Sequence, residues 1–232
     1  MKNPISWLKN LVTKKLTDVL VENSPLDVVG TLLVTTDRVT EPVDVIFLFG
    51  RAHGDDNKEF FQTVAKLYRQ GTAKNIIING SDGERIGGNI PGEAWAGKIE
   101  WTKHLVELGV SREHIHYALP SFHTAGEGRA MFSYAHSKGW KTAIIVAQPH
   151  QLLRCMAGLI HYMRTVRNWM RIYCVAPTKC DWFELTAGSQ GLNEMERIDH
   201  IPLEYSRIHK YIDDLATMPE VIVYYRNRGK IL

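Results

Sequence analysis

An uninterrupted apolar run, Val45–Phe49, does most to limit what this chain can fold into. The run is β-branched and aromatic and has the length of a strand, which indicates a strand buried on both faces. It ends at Gly50, and the loop that follows carries four polar side chains: Arg51, His53, Asp55 and Asp56. Apolar residues then recur at helical spacing from Phe60 to Tyr68. Strand, polar loop and helix in this order predict the opening of a βαβ unit, in which ligands bind at the carboxyl ends of the strands.

The same order recurs along the chain. Four further apolar runs predict strands at 75–79, 115–119, 142–147 and 170–175. Helical patterns stand between them, at 93–108, from about 125 to 138, and from 151 onward. Strands separated by helices of about ten or more residues form parallel sheets with right-handed crossovers. We therefore predict a Rossmann-like three-layer α/β/α sandwich, with a mainly parallel central sheet of about five strands and with N- and C-terminal helical additions.

The N-terminal part of the chain is less regular than its centre. Residues 1–40 are predicted as a helical extension packed on the core that residues 41–185 form. Within this extension, residues 4–21 have the pattern of an amphipathic helix, and residues 31–36 could form a short strand. The alternative for residues 4–21 is a helix that lies on a membrane surface.

The C-terminal part, residues 186–232, is predicted as a helical segment. Residues 194–218 have a helical pattern in two pieces that is broken near Pro202, and residues 221–225 could form a last strand. No internal repeat, low-complexity segment or long linker separates the three parts. The length therefore suits one α/β domain with additions.

Composition limits the class of protein. The net charge of +3 on 232 residues is too small for the basic surface of a nucleic-acid-binding protein. No apolar run is long enough for a transmembrane segment, and residues 1–20 lack the continuous apolar region of a signal peptide. The three cysteines, Cys155, Cys174 and Cys180, form no CxxC pair and are expected to be free thiols. These features predict a cytoplasmic protein, and they leave its oligomeric state open.

Each of the first four predicted strands is followed by a polar loop. In a parallel sheet all four loops emerge at the same edge, which is the convergence that a binding site requires. The side chains concerned are Arg51, His53, Asp55 and Asp56; Ser81, Asp82, Glu84 and Arg85; Ser121, His123, Thr124 and Glu127; and Gln148, His150, Gln151 and Arg154.

Two of these loops have features that suit an anion. Residues 80–92 contain five glycines, and backbone N–H groups at a glycine turn bind anions, although this loop fits neither the GxGxxG nor the GxxxxGK(S/T) motif. A plain surface loop is the alternative. His150 and Arg154 lie at the start of a helix that follows a strand, a position that favours negative charge. The alternative for Arg154 is a surface side chain with local contacts.

A divalent-metal site and a serine-hydrolase site are weaker hypotheses than an anion-binding site. Five side chains could together hold a divalent ion, although each loop supplies at most two ligands: His53, Asp55, Asp56, His123 and His150. We therefore predict no metal site. The GxSxG motif of serine hydrolases is absent.

The order and spacing of several short motifs resemble the DUF218 family, which includes the YdcF, SanA and ElyC groups. The matching segments are 44–50, 65–71, 76–80, 93–94, 108–110, 121–124 with Glu127, and 144–147 with His150 and Arg154. The resemblance covers residues 43–175. The sequence shows no counterpart of the membrane anchor of the SanA and ElyC groups, so the soluble YdcF-like type is the better comparison.

The resemblance implies a Rossmann-like sheet with a polar cleft at the strand ends. Family members are linked to bacterial envelope functions, and a YdcF-type member binds S-adenosylmethionine. At the matching positions the cleft would involve Gly50, Gly80, Glu93, Thr124, Glu127, His150 and Arg154. This chain departs from the family where Arg51 follows Gly50 in place of a further glycine, and where His150 lies four residues before Arg154 rather than three.

These observations predict a protein that binds a small anionic or nucleotide-like ligand, with S-adenosylmethionine as one candidate. The ligand-binding residues would be Gly50, Arg51, Gly80, Ser81, Thr124 and Arg154, and the candidates for proton transfer are Glu93, Glu127 and His150. We expect Arg154→Ala to weaken ligand binding without unfolding the protein. One alternative is a non-catalytic module that senses a metabolite or binds a partner. The other is a metal-assisted phosphohydrolase that uses His53, Asp55 and Asp56.

Overall fold

The computed structural model describes residues 25–50, 57–83, 96–121, 123–177, 181–187 and 194–231. Helices and strands alternate through most of this chain, as the sequence pattern predicts. The helices are α1 (Pro25–Thr35), α2 (Asn57–Arg69), α3 (Gly97–Glu107), α4 (Thr124–Ser137), α5 (Leu152–Val166), α6 (His200–Lys210) and α7 (Met218–Asn227). The strands are β1 (Val43–Leu48), β2 (Ala73–Asn79), β3 (Ile115–Ala118), β4 (Thr142–Val146), β5 (Arg171–Val175), β6 (Leu185–Ala187) and β7 (Glu194–Glu196).

The described part of the chain has a central sheet of five parallel strands in the order β3-β2-β1-β4-β5. The prediction of a Rossmann-like parallel sheet is thus confirmed. The chain builds outward from β1 to β3, then returns to place β4 on the other side of β1. The strand order therefore reverses between β1 and β4, and this is the switch point at which folds of this kind bind ligands. Strands β6 and β7 form a separate antiparallel pair.

Helices cover both faces of the sheet. Successive side chains of a strand point to opposite faces, so alternate residues pack on opposite layers. Val45 and Phe47 pack with residues of α1, α4, α5, α6 and α7. Ile46 and Leu48 pack with residues of α2 and α3 on the opposite face. The result is the three-layer α/β/α arrangement that the apolar run of β1 predicts.

Three predictions for the flanks are wrong. Residues 31–36 belong largely to helix α1, whose buried positions Asp27, Gly30 and Val34 recur at helical spacing. Residues 221–225 lie within helix α7, because Thr217 and Glu220 form a capping box that starts a helix there. The predicted helical pattern at 194–218 is not broken at Pro202, which lies in the first turn of α6, where its missing N–H has no partner to lose. The break comes after Lys210, and Glu194–Glu196 form strand β7. The predicted helix at 4–21 lies outside the described residues.

Three backbone groups on the outer edge of strand β5 are bound by side chains. The Ile172 amide donates to the Tyr224 hydroxyl at 2.7 Å, and the Cys174 amide donates to Asp37 Oδ2 at 2.9 Å. Arg228 donates to the Ile172 carbonyl at 3.0 Å and binds both oxygens of Asp37, at 2.6 and 2.8 Å. Residues from the segment after α1, from α7 and from the turn after α7 therefore bind this edge of the sheet. Among the described helices, none has the length and apolar composition that crossing a bilayer requires.

Candidate functional site

The described residues of the predicted site lie at the carboxyl edge of the sheet. Gly50 follows β1, Gly80 and Ser81 follow β2, and Thr124 begins the helix after β3. His150 and Arg154 follow β4. Two other predicted residues, Arg51 and Glu93, lie outside the described residues, as do the three candidate metal ligands His53, Asp55 and Asp56.

Glu127 is a buried carboxyl at the switch point. It lies in the first turn of α4, is only 6% exposed, and accepts a hydrogen bond from the Gly50 amide at 2.7 Å. Burial raises the pKa of Glu127 to about 7, although hydrogen bonds from Gly50 and Asn79 and the charge of Arg154 act in the opposite direction. Desolvation favours the neutral form of a carboxyl. A carboxyl with a pKa near 7 can both donate and accept a proton at neutral pH.

Asn79 joins three parts of the site. It is the last residue of β2 and is 3% exposed. Its side-chain nitrogen donates to the Ser121 carbonyl at 2.6 Å, and its side-chain oxygen accepts from the Ser81 amide at 3.1 Å. Its side chain also hydrogen-bonds to Glu127. Sequence reasoning missed Asn79, although a polar residue that ends an Ile-Ile-Ile run is a signal that could have identified it.

Gly80 is required by backbone packing. A Cβ atom on this residue would lie 2.1 Å from the Ala118 carbonyl oxygen, so no larger residue fits without a shift of β3. Lys98 then holds the loop: its Nζ donates to the Gly80 carbonyl at 3.1 Å, and its amide donates to the Ser81 carbonyl at 2.9 Å. These contacts fix the loop at the end of β2 beside Asn79.

Arg154 is held by a carboxylate from the C-terminal part of the chain. Its Nε donates to Glu204 Oε2 at 2.5 Å, and its Nη2 donates to Glu204 Oε1 at 3.3 Å. Its Nη1 donates to the Thr124 hydroxyl at the start of α4. Burial alone would lower the pKa of Arg154, but the neighbouring Glu204 more than offsets this and the pKa is raised. Arg154 and Thr124 thus meet as predicted, whereas the sequence did not point to Glu204.

The two histidines of the site have different surroundings. His150 is 4% exposed, and its ring stacks on that of His200 from α6, with 4.8 Å between the ring centroids. His200 Nε2 lies 3.0 Å from the Thr186 carbonyl, so it donates to that oxygen. His123 is the N-cap of α4, and its Nδ1 accepts from the Gly126 amide at 3.1 Å. His150 is therefore a contact between the turn that precedes α5 and the first residue of α6.

The described residues contain no group of three or more His, Cys, Asp or Glu side chains that could hold a metal ion. His123 and His150 are both engaged in contacts within the fold.

No protein-family model matches this sequence, and no curated protein matches it. The resemblance to the DUF218 family therefore stays a prediction.

Proposed function

We propose that the chain binds a small anionic or nucleotide-like ligand at the switch point between β1 and β4, and that Glu127 exchanges a proton with it. The observation that carries this proposal is the burial of Glu127 beside the first amide after β1, which raises its pKa to about 7. A perturbed carboxyl in the crevice of an open parallel sheet is a feature of functional sites.

The surroundings of Glu127 support an anionic ligand. Arg154 is close enough to lower the pKa of Glu127 through its charge. Helices α4 and α5 both begin at this edge, at Thr124 and Leu152. The N-termini of helices carry partial positive charge and bind anions.

Glu127 can change its protonation state without losing its position. Its Oε1 accepts the Gly50 amide hydrogen bond, which an ionised or a neutral carboxyl can accept. Asn79 is fixed on its other side by Ser81 and Ser121. A general acid or base has to keep its geometry while it loses and regains a proton, and these contacts provide that.

The test begins with a thermal-shift screen of the purified protein. The panel consists of S-adenosylmethionine, nucleotides, nucleotide sugars and polyprenyl-phosphate mimics. A ligand at 100 times its Kd should stabilise the protein by about 2.7 kcal/mol. If no compound shifts the unfolding temperature, the proposed small-molecule site is wrong.

The second stage assigns the role of Glu127. Turnover of a binding compound is measured with the wild type, with Glu127→Gln and with the control Glu113→Gln, whose side chain is 77% exposed. We expect Glu127→Gln to bind the compound and to lose turnover, while Glu113→Gln keeps both. A compound that binds and is recovered intact from the wild type would instead identify a sensing module.

A further inference from the structure

One carboxylate is shared by two arginines at the edge of the candidate site. Glu204 on α6 binds Arg154 from α5 through both of its oxygens, at 2.5 and 3.3 Å. Arg207, one turn further along α6, donates from its Nη1 to the same Oε1 atom. Because one oxygen accepts from both guanidiniums, Nη2 of Arg154 and Nη1 of Arg207 lie close enough for a single oxyanion to bridge them.

The charges of this group do not balance. Two guanidiniums face one carboxylate, and the side chains of Arg154 and Glu204 are only 12% and 2% exposed. Glu127 is the other carboxyl whose charge raises the pKa of Arg154, and it is partly protonated at neutral pH. Arg207 is the more exposed of the two arginines, at 26%, so solvent reaches its charge. The group carries more positive than negative charge, and both arginines would stabilise an anion that binds beside them.

Both arginines have hydrogen-bond donors to spare. A guanidinium has five N–H groups. Arg154 uses three of them, on Glu204 and Thr124, and no other described residue accepts from it. Arg207 uses one, and its side chain is 26% exposed, so its remaining donors can be reached from solvent. The hydroxyl of Thr124, in the first turn of α4, lies beside Arg154.

We propose that Arg154 and Arg207 bind a phosphoryl group of the ligand. The inference rests on the proposed function and narrows its anionic ligand to a phosphate ester or a diphosphate. Paired guanidiniums match the oxygens of a phosphate in a forked, bidentate way, and a phosphate dianion is the group that compensates an excess of positive charge best. S-adenosylmethionine fits this position less well, because it has a sulfonium and an ammonium cation beside its one carboxylate.

The experiment measures binding of inorganic pyrophosphate and phosphate by calorimetry at constant ionic strength. Arg207 is the residue to change, because it is partly exposed and Glu204 keeps Arg154 as a partner without it. We expect Arg207→Gln to weaken pyrophosphate binding by about tenfold or more, and Arg207→Lys, which keeps the charge but not the fork, to lose less. The matched control is Arg164→Gln, which removes an arginine from the far end of α5 where it pairs with Glu220.

We call the position where Arg154 and Arg207 would bind this group the phosphoryl site, and each outcome decides for or against it. Saturable binding that depends on Arg207 and not on Arg164 supports it. Equal weakening in Arg207→Gln and Arg164→Gln would show a general effect of net charge, and unchanged affinity in Arg207→Gln would remove the site. If Arg207→Gln does not fold, the Lys variant carries the test, and wild-type affinity in that variant counts against the forked contact.

Failure of this inference differs from failure of the proposed function. Binding of another compound of the panel without any binding of phosphate or pyrophosphate overturns the phosphoryl site and leaves the proposed function standing. Pyrophosphate binding that depends on Arg207, together with full turnover in Glu127→Gln, overturns the role of Glu127 and leaves the phosphoryl site standing.

Discussion

Replacement of Glu127 by glutamine should make the protein more stable, and increasingly so as the pH rises. In the folded protein this carboxyl keeps its proton up to a pKa of about 7, whereas an ordinary carboxyl ionises near 4.5. Between these two values the folded state binds more protons than the unfolded state, so the wild type loses stability as the pH rises. Above about pH 7 the carboxyl is ionised in both states, and the loss is complete.

The size of the loss follows from the two pKa values. A shift from 4.5 to about 7 corresponds to about 3 kcal/mol. Glutamine has no proton to lose and retains an oxygen for the Gly50 amide, so the variant escapes this loss. For a chain of this size, about 3 kcal/mol shifts the unfolding temperature by roughly 6–12 °C. All other titrating groups are the same in both proteins and cancel in the difference.

The assay is urea unfolding of the wild type and of Glu127→Gln at steps between pH 5 and 8.5. We expect the difference in unfolding free energy to move in favour of the variant by about 2.5 kcal/mol across this range, since part of the loss already occurs below pH 5. The control Glu113→Gln changes a carboxyl that is 77% exposed and should give a difference that is nearly constant with pH. A flat difference for Glu127→Gln would refute the reasoning, because it would mean that the folded protein does not hold this proton.

Three further substitutions test other contacts. Arg154→Ala leaves the buried Glu204 with one arginine and should cost about 3 kcal/mol in urea unfolding; a wild-type midpoint would contradict the buried pair. Asp37→Asn weakens the Arg228 pair and should cost about 2 kcal/mol and speed hydrogen exchange of the Cys174 amide; unchanged exchange would count against the closed β5 edge. Gly80→Ala places a Cβ atom 2.1 Å from the Ala118 carbonyl and should lower stability by about 2 kcal/mol or more; a variant as stable as the wild type would show that β3 can shift.

The central sheet could be predicted because its strands carry local signals. Each strand is a short apolar run. A helix between successive strands returns the chain to the edge where it started, so the next strand runs parallel to the one before. The structure of the N- and C-terminal flanks could not be predicted from local signals in the same way. Residues 31–36 and 221–225 are rich in β-branched or aromatic side chains and both have strand propensity, yet they lie almost entirely in helices whose buried positions pack on the core. Tertiary packing overrode local preference there.

The candidate site could be predicted in part. Glu127, Thr124 and Arg154 were identified because each follows a strand, and the structure brings Arg154 into contact with Thr124 and within electrostatic reach of Glu127. The partner of Arg154 could not be found, since Glu204 lies 50 positions further along the chain and no spacing rule links the two. The raised pKa of Glu127 depends on its desolvation, which is a property of the folded state.

The closed edge of β5 has a consequence for the time course of synthesis. Tyr224, which binds the Ile172 amide, follows that residue by 52 positions, and Arg228 follows it by 56. At about 5–20 residues per second, a ribosome needs roughly 3–10 s to make this stretch. During that interval a nascent chain has its outer strand and Asp37 in place, while Tyr224 and Arg228 are still missing. Neighbouring nascent chains could pair along that strand, so a holding chaperone would matter most in those seconds.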